Sequence, residues 1–140
     1  MPEKFKILAQ FIKDMSSETP NAETFLYVKE YLSNYHLNIE ISSKPLKNRM
    51  IEVITKMKYQ DNSKAKNKSY FEISYATIIK IEEEVKDKKI IEKIVLCDVQ
   101  KEIYPKLEKI FTNLLSDSGY PGVKFEKKID FEQLYSQRLN

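Results

Sequence analysis

The stretch YFEISYATIIKIE, residues 70–82, decides the fold. Phe71, Ile73, Tyr75, Thr77, Ile79 and Ile81 alternate with Glu72, Ser74, Ala76 and Lys80. Successive side chains of a strand point to opposite faces, so this period of two marks a strand with one apolar side. Upstream, from about Arg49 to Gln60, the pattern repeats: Ile51, Val53, Thr55, Met57 and Tyr59 against Glu52, Lys56 and Lys58. Between the two, DNSKAKNKS has no apolar anchor and reads as an exposed hairpin loop. Further upstream, Leu37, Ile39 and Ile41 oppose Asn38, Glu40 and Ser42, and SSKPLKN breaks that strand at Pro45. A first strand, Phe5–Ile12, places Phe5, Ile7, Ala9 and Phe11 on one face. After the Pro20-Asn21 turn, ETFLYVKEYLSNYH reads as an irregular aromatic-rich crossover whose Phe25, Val28 and Leu32 fit a short helical turn. Four strands joined by turns predict an antiparallel meander or Greek key rather than a βαβ sheet.

The second half changes period. From about Lys86 to Asp117, Ile91, Ile94, Val95, Val99, Ile103, Leu107, Ile110, Phe111 and Leu114 recur at helical spacing, opposite Lys93, Glu102, Lys106, Glu108 and Lys109. This is a long amphipathic helix. Pro105 removes a backbone donor inside it and predicts a kink or a break there. Gly119 and Pro121 stop the helix. A last short helix spans about 130–139, with Asp130 as N-cap and Phe131, Leu134 and Tyr135 as its stripe. The fold class is therefore α+β: a four-stranded antiparallel sheet, one long kinked amphipathic helix and a short C-terminal helix. No linker or repeat divides residues 1–140, which read as a single domain. Leu8, Ile12, Ile54 and Ile78 fall on the nominally polar side of the sheet. With the sheet edges, they predict self-association.

Composition narrows the function. Cys97 is the only cysteine and His36 the only histidine. An internal disulfide cannot form, and a zinc site lacks its usual ligands, so no metal and no cofactor is expected. With two glycines, Gly119 and Gly122, and no phosphate-loop pattern, a nucleotide cradle is not expected. No catalytic residue is assigned, and the chain is not expected to be an enzyme. Net charge is +3, with acids interrupting most basic runs. That argues against a nucleic-acid stripe, although a basic RNA-binding or structural module is a remaining alternative. No apolar run approaches the ~20 residues of a membrane span, and MPEKFKILAQFIKDM lacks the continuous apolar core of a secretory signal. A cytoplasmic location without membrane insertion is expected.

Specific motifs point further. Residues 11–22, FIKDMSSETPNA, carry Lys13, Asp14, Ser16, Glu18, Pro20 and Ala22, with Asn21 between. This resembles the K-D-x-S-x-E-x-P-x-A signature of the SecB family of export chaperones. The likeness continues through Arg49-Met50-Ile51-Glu52-Val53, through Phe71-Glu72-Ile73 to Ile78-Ile79, and through Ile103-Tyr104-Pro105. It ends in Gly119-Tyr120-Pro121 and in Ile129-Asp130-Phe131-Glu132-Gln133-Leu134-Tyr135, which is similar to the family's I-D-F-x-x-L-Y. Departures are Val99-Gln100 for the family's C-P, Pro105-Lys106-Leu107-Glu108-Lys109 for P-Y-A-R-E, and a slightly basic balance in a generally acidic family.

The resemblance implies an ATP-independent holdase: a cytosolic homotetramer, a dimer of dimers, that binds unfolded preproteins and delivers them to the SecA motor. It implies a SecA-docking set of Asp14, Glu18 and Glu72 on the exposed sheet face. It also implies a client groove of Phe25, Tyr27, Tyr31, Tyr35, Leu37, Ile39 and Ile41, completed by apolar positions of the helices. A SecB-like chaperone devoted to a single client, such as the antitoxin of a toxin–antitoxin system, is the alternative within the same fold.

Overall fold

The structure is a computed structural model that describes residues 4–125 and 129–138. Four strands, β1 (Phe5–Glu18), β2 (Tyr35–Pro45), β3 (Met50–Asp61) and β4 (Tyr70–Ile81), form one antiparallel sheet in the order β1-β4-β3-β2. This is the Greek-key arrangement: β2, β3 and β4 follow one another by hairpins, and β1 closes beside β4. Residues directly opposite across the ladder share a face. One face, holding Val53, Thr55, Met57, Tyr59, Phe71, Ile73, Tyr75, Thr77 and Ile79, is buried under helices. The other is open.

Strand β1 differs from its sequence reading in length and in facing. It does not end at Ile12 but pairs with β4 as far as Glu18. Its register slips between Ile7 and Ala9 and again between Ile12 and Asp14. Each slip adds an unpaired residue, Leu8 and then Lys13, and reverses which side the following residues face. Ala9 and Phe11 therefore stand opposite Ile78 and Ala76 on the open face, not beside Phe5 and Ile7. Ile12 stands opposite Tyr75 on the helix side. The second bulge restores the phase, so Asp14, Ser16 and Glu18 return to the open face opposite Ser74, Glu72 and Tyr70.

The crossover is more regular than its sequence suggests. Ala22–Glu30 forms helix α1, capped by Asn21, whose Oδ1 accepts from the Thr24 N–H at 2.8 Å. The long helix comprises α2 (Lys88–Lys93), a π-helical segment (Ile94–Asp98) and α3 (Val99–Asp117). It runs through Pro105 without a break. The hydrogen bond that proline forgoes would end on the carbonyl of Lys101, an exposed residue. The departure from α geometry lies upstream, in the π segment. Gln100, fully buried, serves that region: its Nε2 donates to the Val95 carbonyl at 3.0 Å, while its Oε1 accepts from Thr55 Oγ1 at 2.8 Å.

Helix α3 ends in a Schellman motif, with Gly119 N–H bonded to Ser116 and Tyr120 N–H to Leu115. Gly119 has φ 106°, and a Cβ there would lie 2.4 Å from Phe25 Cε1. Glycine is thus required both by the turn and by the crossover packed on it. Helix α4 (Phe131–Arg138) starts at Asp130, whose Oδ1 accepts from the Gln133 N–H at 3.0 Å. Phe131 packs edge-on against Tyr104 at 5.5 Å.

Candidate functional site

Two surfaces gather the residues singled out above. The first is the open face of the sheet. Its register builds cross-strand rows: Glu18 beside Tyr70; Ser16, Glu72, Lys58 and Asn38; Asp14, Ser74, Lys56 and Glu40; Phe11, Ala76, Ile54 and Ser42. Asp14, Glu18 and Glu72 therefore do share one face and one end of it. All three also act on Tyr70, whose hydroxyl is pushed up to about 12, first by burial, then by the neighbouring Glu72 carboxylate and by the charges of Glu18 and Asp14.

The three acids are not equivalent. Asp14 and Glu18 are exposed, whereas the Glu72 side chain is only 12% exposed. Lys56 and Lys58 each approach its Oε1 at 3.7 Å. A second pair, Lys13 with Glu52 at 3.5 Å, crosses the same face. These lysines, Tyr70 and Glu40 were not singled out in the sequence, since only the register reveals which charges meet.

The second surface runs along β2, the strand at the sheet's other edge. On its helix side Leu37, Ile39 and Ile41 are half-buried. They open into two clefts of about 410 Å³ each. One lies between Ile41, Ile51 and the Ile91–Leu96 stretch; the other lies between Leu37, Ile39 and helix α4 with Leu134. The crossover aromatics divide. Tyr27 and Tyr31 lean on each other at 4.6 Å, and Tyr31 is 41% exposed. Phe25 is half-buried and stacks on Tyr120 at 5.2 Å.

Tyr35 departs from the expected groove: it is 5% exposed, and its hydroxyl donates to the Ser69 carbonyl and accepts from the Ser69 N–H. That tyrosine anchors the start of β4 and is spent on folding. Leu26, 64% exposed on α1, is the apolar crossover residue that the sequence reading passed over. Its signal was available, because a helix capped at Asn21 presents positions facing solvent as well as Thr24 and Val28 facing the core.

Other chemistry is sparse. Cys97 is buried, and burial pushes its thiol up, away from the reactive thiolate. Among the described residues no cluster of His, Cys, Asp and Glu is dense enough to hold a metal ion, and no helix is long and apolar enough to cross a membrane.

Comparison with known proteins agrees with this architecture. The family described as preprotein translocase subunit SecB matches residues 1–140. A candidate protein-export protein SecB of Pelagibacter ubique is 56% identical over 140 residues, covering 100% of both chains. The protein-export protein SecB of Bradyrhizobium diazoefficiens is 24% identical over 136 residues, 97% of this chain and 83% of that one. Among solved structures, a SecB-like chaperone of Mycobacterium tuberculosis, in complex with a peptide from an antitoxin, superposes with TM-score 0.65. It shares 10% identity, with 89% of this chain and 91% of that one covered. The Greek-key sheet, the helix laid across one side and a family match spanning every residue place this chain in the SecB family.

Proposed function

We propose that the protein is an ATP-independent holdase for protein export. In this reading it binds unfolded preproteins in the cytoplasm and passes them to SecA. The observation that carries it is the β2 edge. There a strand backbone without a partner among the described residues runs beside two clefts lined in part by apolar side chains, so an extended client could bond main chain to main chain while its side chains enter the clefts. Such a site selects for unfolded chain and apolar content rather than for one sequence, as a general holdase requires. Relatives named for protein export favour the Sec route over a chaperone devoted to one antitoxin; the antitoxin-bound relative is alike in fold only.

Residues 1–140 act as one domain in this reading, and four copies assemble as a dimer of dimers. The β1 edge supports assembly, since Leu8, Ile12 and Met15 are each more than two-fifths exposed. Asp14 and Glu18, with Glu72 held beneath its lysines, form the SecA-docking set. Tyr27, Tyr31, Leu37, Ile39 and Ile41 line the client groove, and Phe25 and Tyr35 brace it from within.

The test has two parts. The purified protein is expected to suppress aggregation of an unfolded client without ATP, and to bind SecA in a salt-dependent way. Joint Asp14→Lys and Glu18→Lys substitution is expected to abolish SecA binding while aggregation suppression stays at the wild-type level. A monomer that fails to suppress aggregation would overturn the holdase reading. Loss of both activities in the variant would show that these acids serve folding.

A further inference from the structure

The two clefts beside β2 are walled differently. In the one formed by Leu37, Ile39 and α4, no hydrogen bond joins helix to strand among the described residues. Helix α4 is held from outside that cleft: Phe131 packs on Tyr104, Lys101 Nζ donates to Glu132 at 2.6 Å, and the Tyr135 hydroxyl donates to the Lys89 carbonyl at 3.4 Å. Its wall can shift with little loss, since the ion pair is exposed.

In the other cleft, Ile41 and Ile51 on the sheet face Ile91, Val95 and Leu96 on the helix, and both walls reach one side chain. Thr55 stands directly opposite Ile41 in the ladder, and its Oγ1 donates to Gln100 Oε1 at 2.8 Å. Val95 belongs to the helix wall, and its carbonyl accepts from Gln100 Nε2 at 3.0 Å. Thr55 and Gln100 are wholly buried, so neither bond is readily exchanged for one to water. The family pattern has proline where this chain has Gln100, and proline carries no side-chain amide to make either bond.

Hydrogen bonds hold a narrow range of distance and angle, whereas aliphatic side chains repack against one another at small cost. A planar amide bonded at both ends therefore fixes the separation of strand and helix more closely than their apolar contacts do. We propose that Gln100 is a positioning residue for client binding: through Thr55 and Val95 it sets the width of the first cleft and makes that cleft selective for side-chain size. The second cleft, without such a tie, accommodates apolar side chains of differing size. The inference rests on the client reading of the β2 edge and deepens it.

The test uses peptides Gly-Ser-X-Ser-Gly, with X Ala, Val, Leu or Phe, titrated against the isotope-labelled protein. Amide shifts of Ile91 and Leu96 report the first cleft, and those of Leu37 and Leu134 the second. In the wild type, affinity at the first cleft is expected to span at least about tenfold across X, the scale on which a fitted pocket separates side chains by a methylene. Thr55→Val and Gln100→Leu are each expected to compress that span to about twofold, as the tie is lost and the walls adapt. Thr55→Ser keeps the hydroxyl and is expected to keep the wild-type span. The span at the second cleft is expected to be the same in all four proteins.

The pair of Thr55 variants separates the bond from the packing, because valine preserves shape and serine preserves the donor. It decides the question alone if Gln100→Leu does not fold, with thermal melting as the control. A wild-type span below about threefold, an uncompressed span in Thr55→Val, or equal compression in Thr55→Ser and Thr55→Val would overturn the inference. Absence of shifts at both clefts in the unmodified protein would instead defeat the client reading on which it rests.

Discussion

Strands β3 and β4 have two faces built on different terms. Toward the helices, Val53, Met57, Phe71, Ile73 and Ile79 are wholly buried, and even the polar members of that side, Thr55 and Thr77, share their burial. Toward the open side the same strands present Glu52, Ile54, Lys56, Lys58, Glu72 and Ile78, all half-buried, with the charges meeting across strands rather than along them. The covered face excludes water and carries the stability. The open face offsets charge against charge at little energetic consequence, since pairs this near solvent contribute up to about 1 kcal/mol. Asp14, Glu18 and Glu40 make no ion pair among the described residues.

The contrast breaks if the two faces respond alike to substitution. The largest effect is expected at Phe71, which is wholly buried and packs edge-on against Tyr120 at 5.6 Å. Phe71→Ala should cost about 3–5 kcal/mol, read as a lowered urea midpoint with unchanged slope. A loss below about 1 kcal/mol would mean that this face is not the core.

Next comes the buried polar contact. Thr55→Val removes the donor to Gln100 Oε1, leaves that oxygen without its 2.8 Å partner and should cost about 1–3 kcal/mol. Adding Gln100→Leu should not recover the loss fully, because Gln100 also supports the Val95 carbonyl. Complete recovery in the double variant would contradict that second role.

The smallest effect is expected on the open face, at Tyr70. Tyr70→Phe should leave the neutral-pH melting temperature nearly unchanged and remove one tyrosine from the alkaline spectrophotometric titration. Burial and the surrounding carboxylates raise its folded value from 10.0 to about 12, so the phenol is favoured in the folded state. Its contribution is complete below the ordinary value and is lost as pH rises through the folded one. A titration near 10 in the native protein would show that Tyr70 is more open to water than its neighbours imply.

These contrasts also explain what the sequence could disclose. Strands β3 and β4 were legible because both are buried on one side along their full length, so alternation marks every residue. The cap at Asp130 and the stop at Gly119 were legible because each demands a particular residue type. Strand β1 was misread past Ile7 because an edge strand accommodates bulges, and a bulge reverses the facing with no residue signature of its own. Helix α1 was obscured by an aromatic-rich crossover whose cap, Asn21, resembles a turn residue.

On the open face the positions of Asp14, Glu18 and Glu72 followed from the family resemblance. Their unequal exposure did not, because it depends on which lysine of β3 meets which acid of β4. Tyr35 was assigned to the groove by resemblance, and only its two bonds to Ser69 place it inside.

The π segment at Ile94–Asp98 has a further consequence, one of phase. An α turn advances each residue by about 100°, and a π segment takes up one residue more than regular helix would. Helix after that point is rotated by roughly this angle relative to a straight continuation of helix before it. Ile91, Val95 and Leu96 can therefore address Ile41 and Ile51 at the β2 end of the sheet, while Ile103, Leu107, Phe111 and Leu115, farther on, all remain turned into the core. The segment works as a fixed angular offset between two interfaces on one rod. Removing a single residue from it would restore a uniform helix and swing the whole downstream stripe off the sheet.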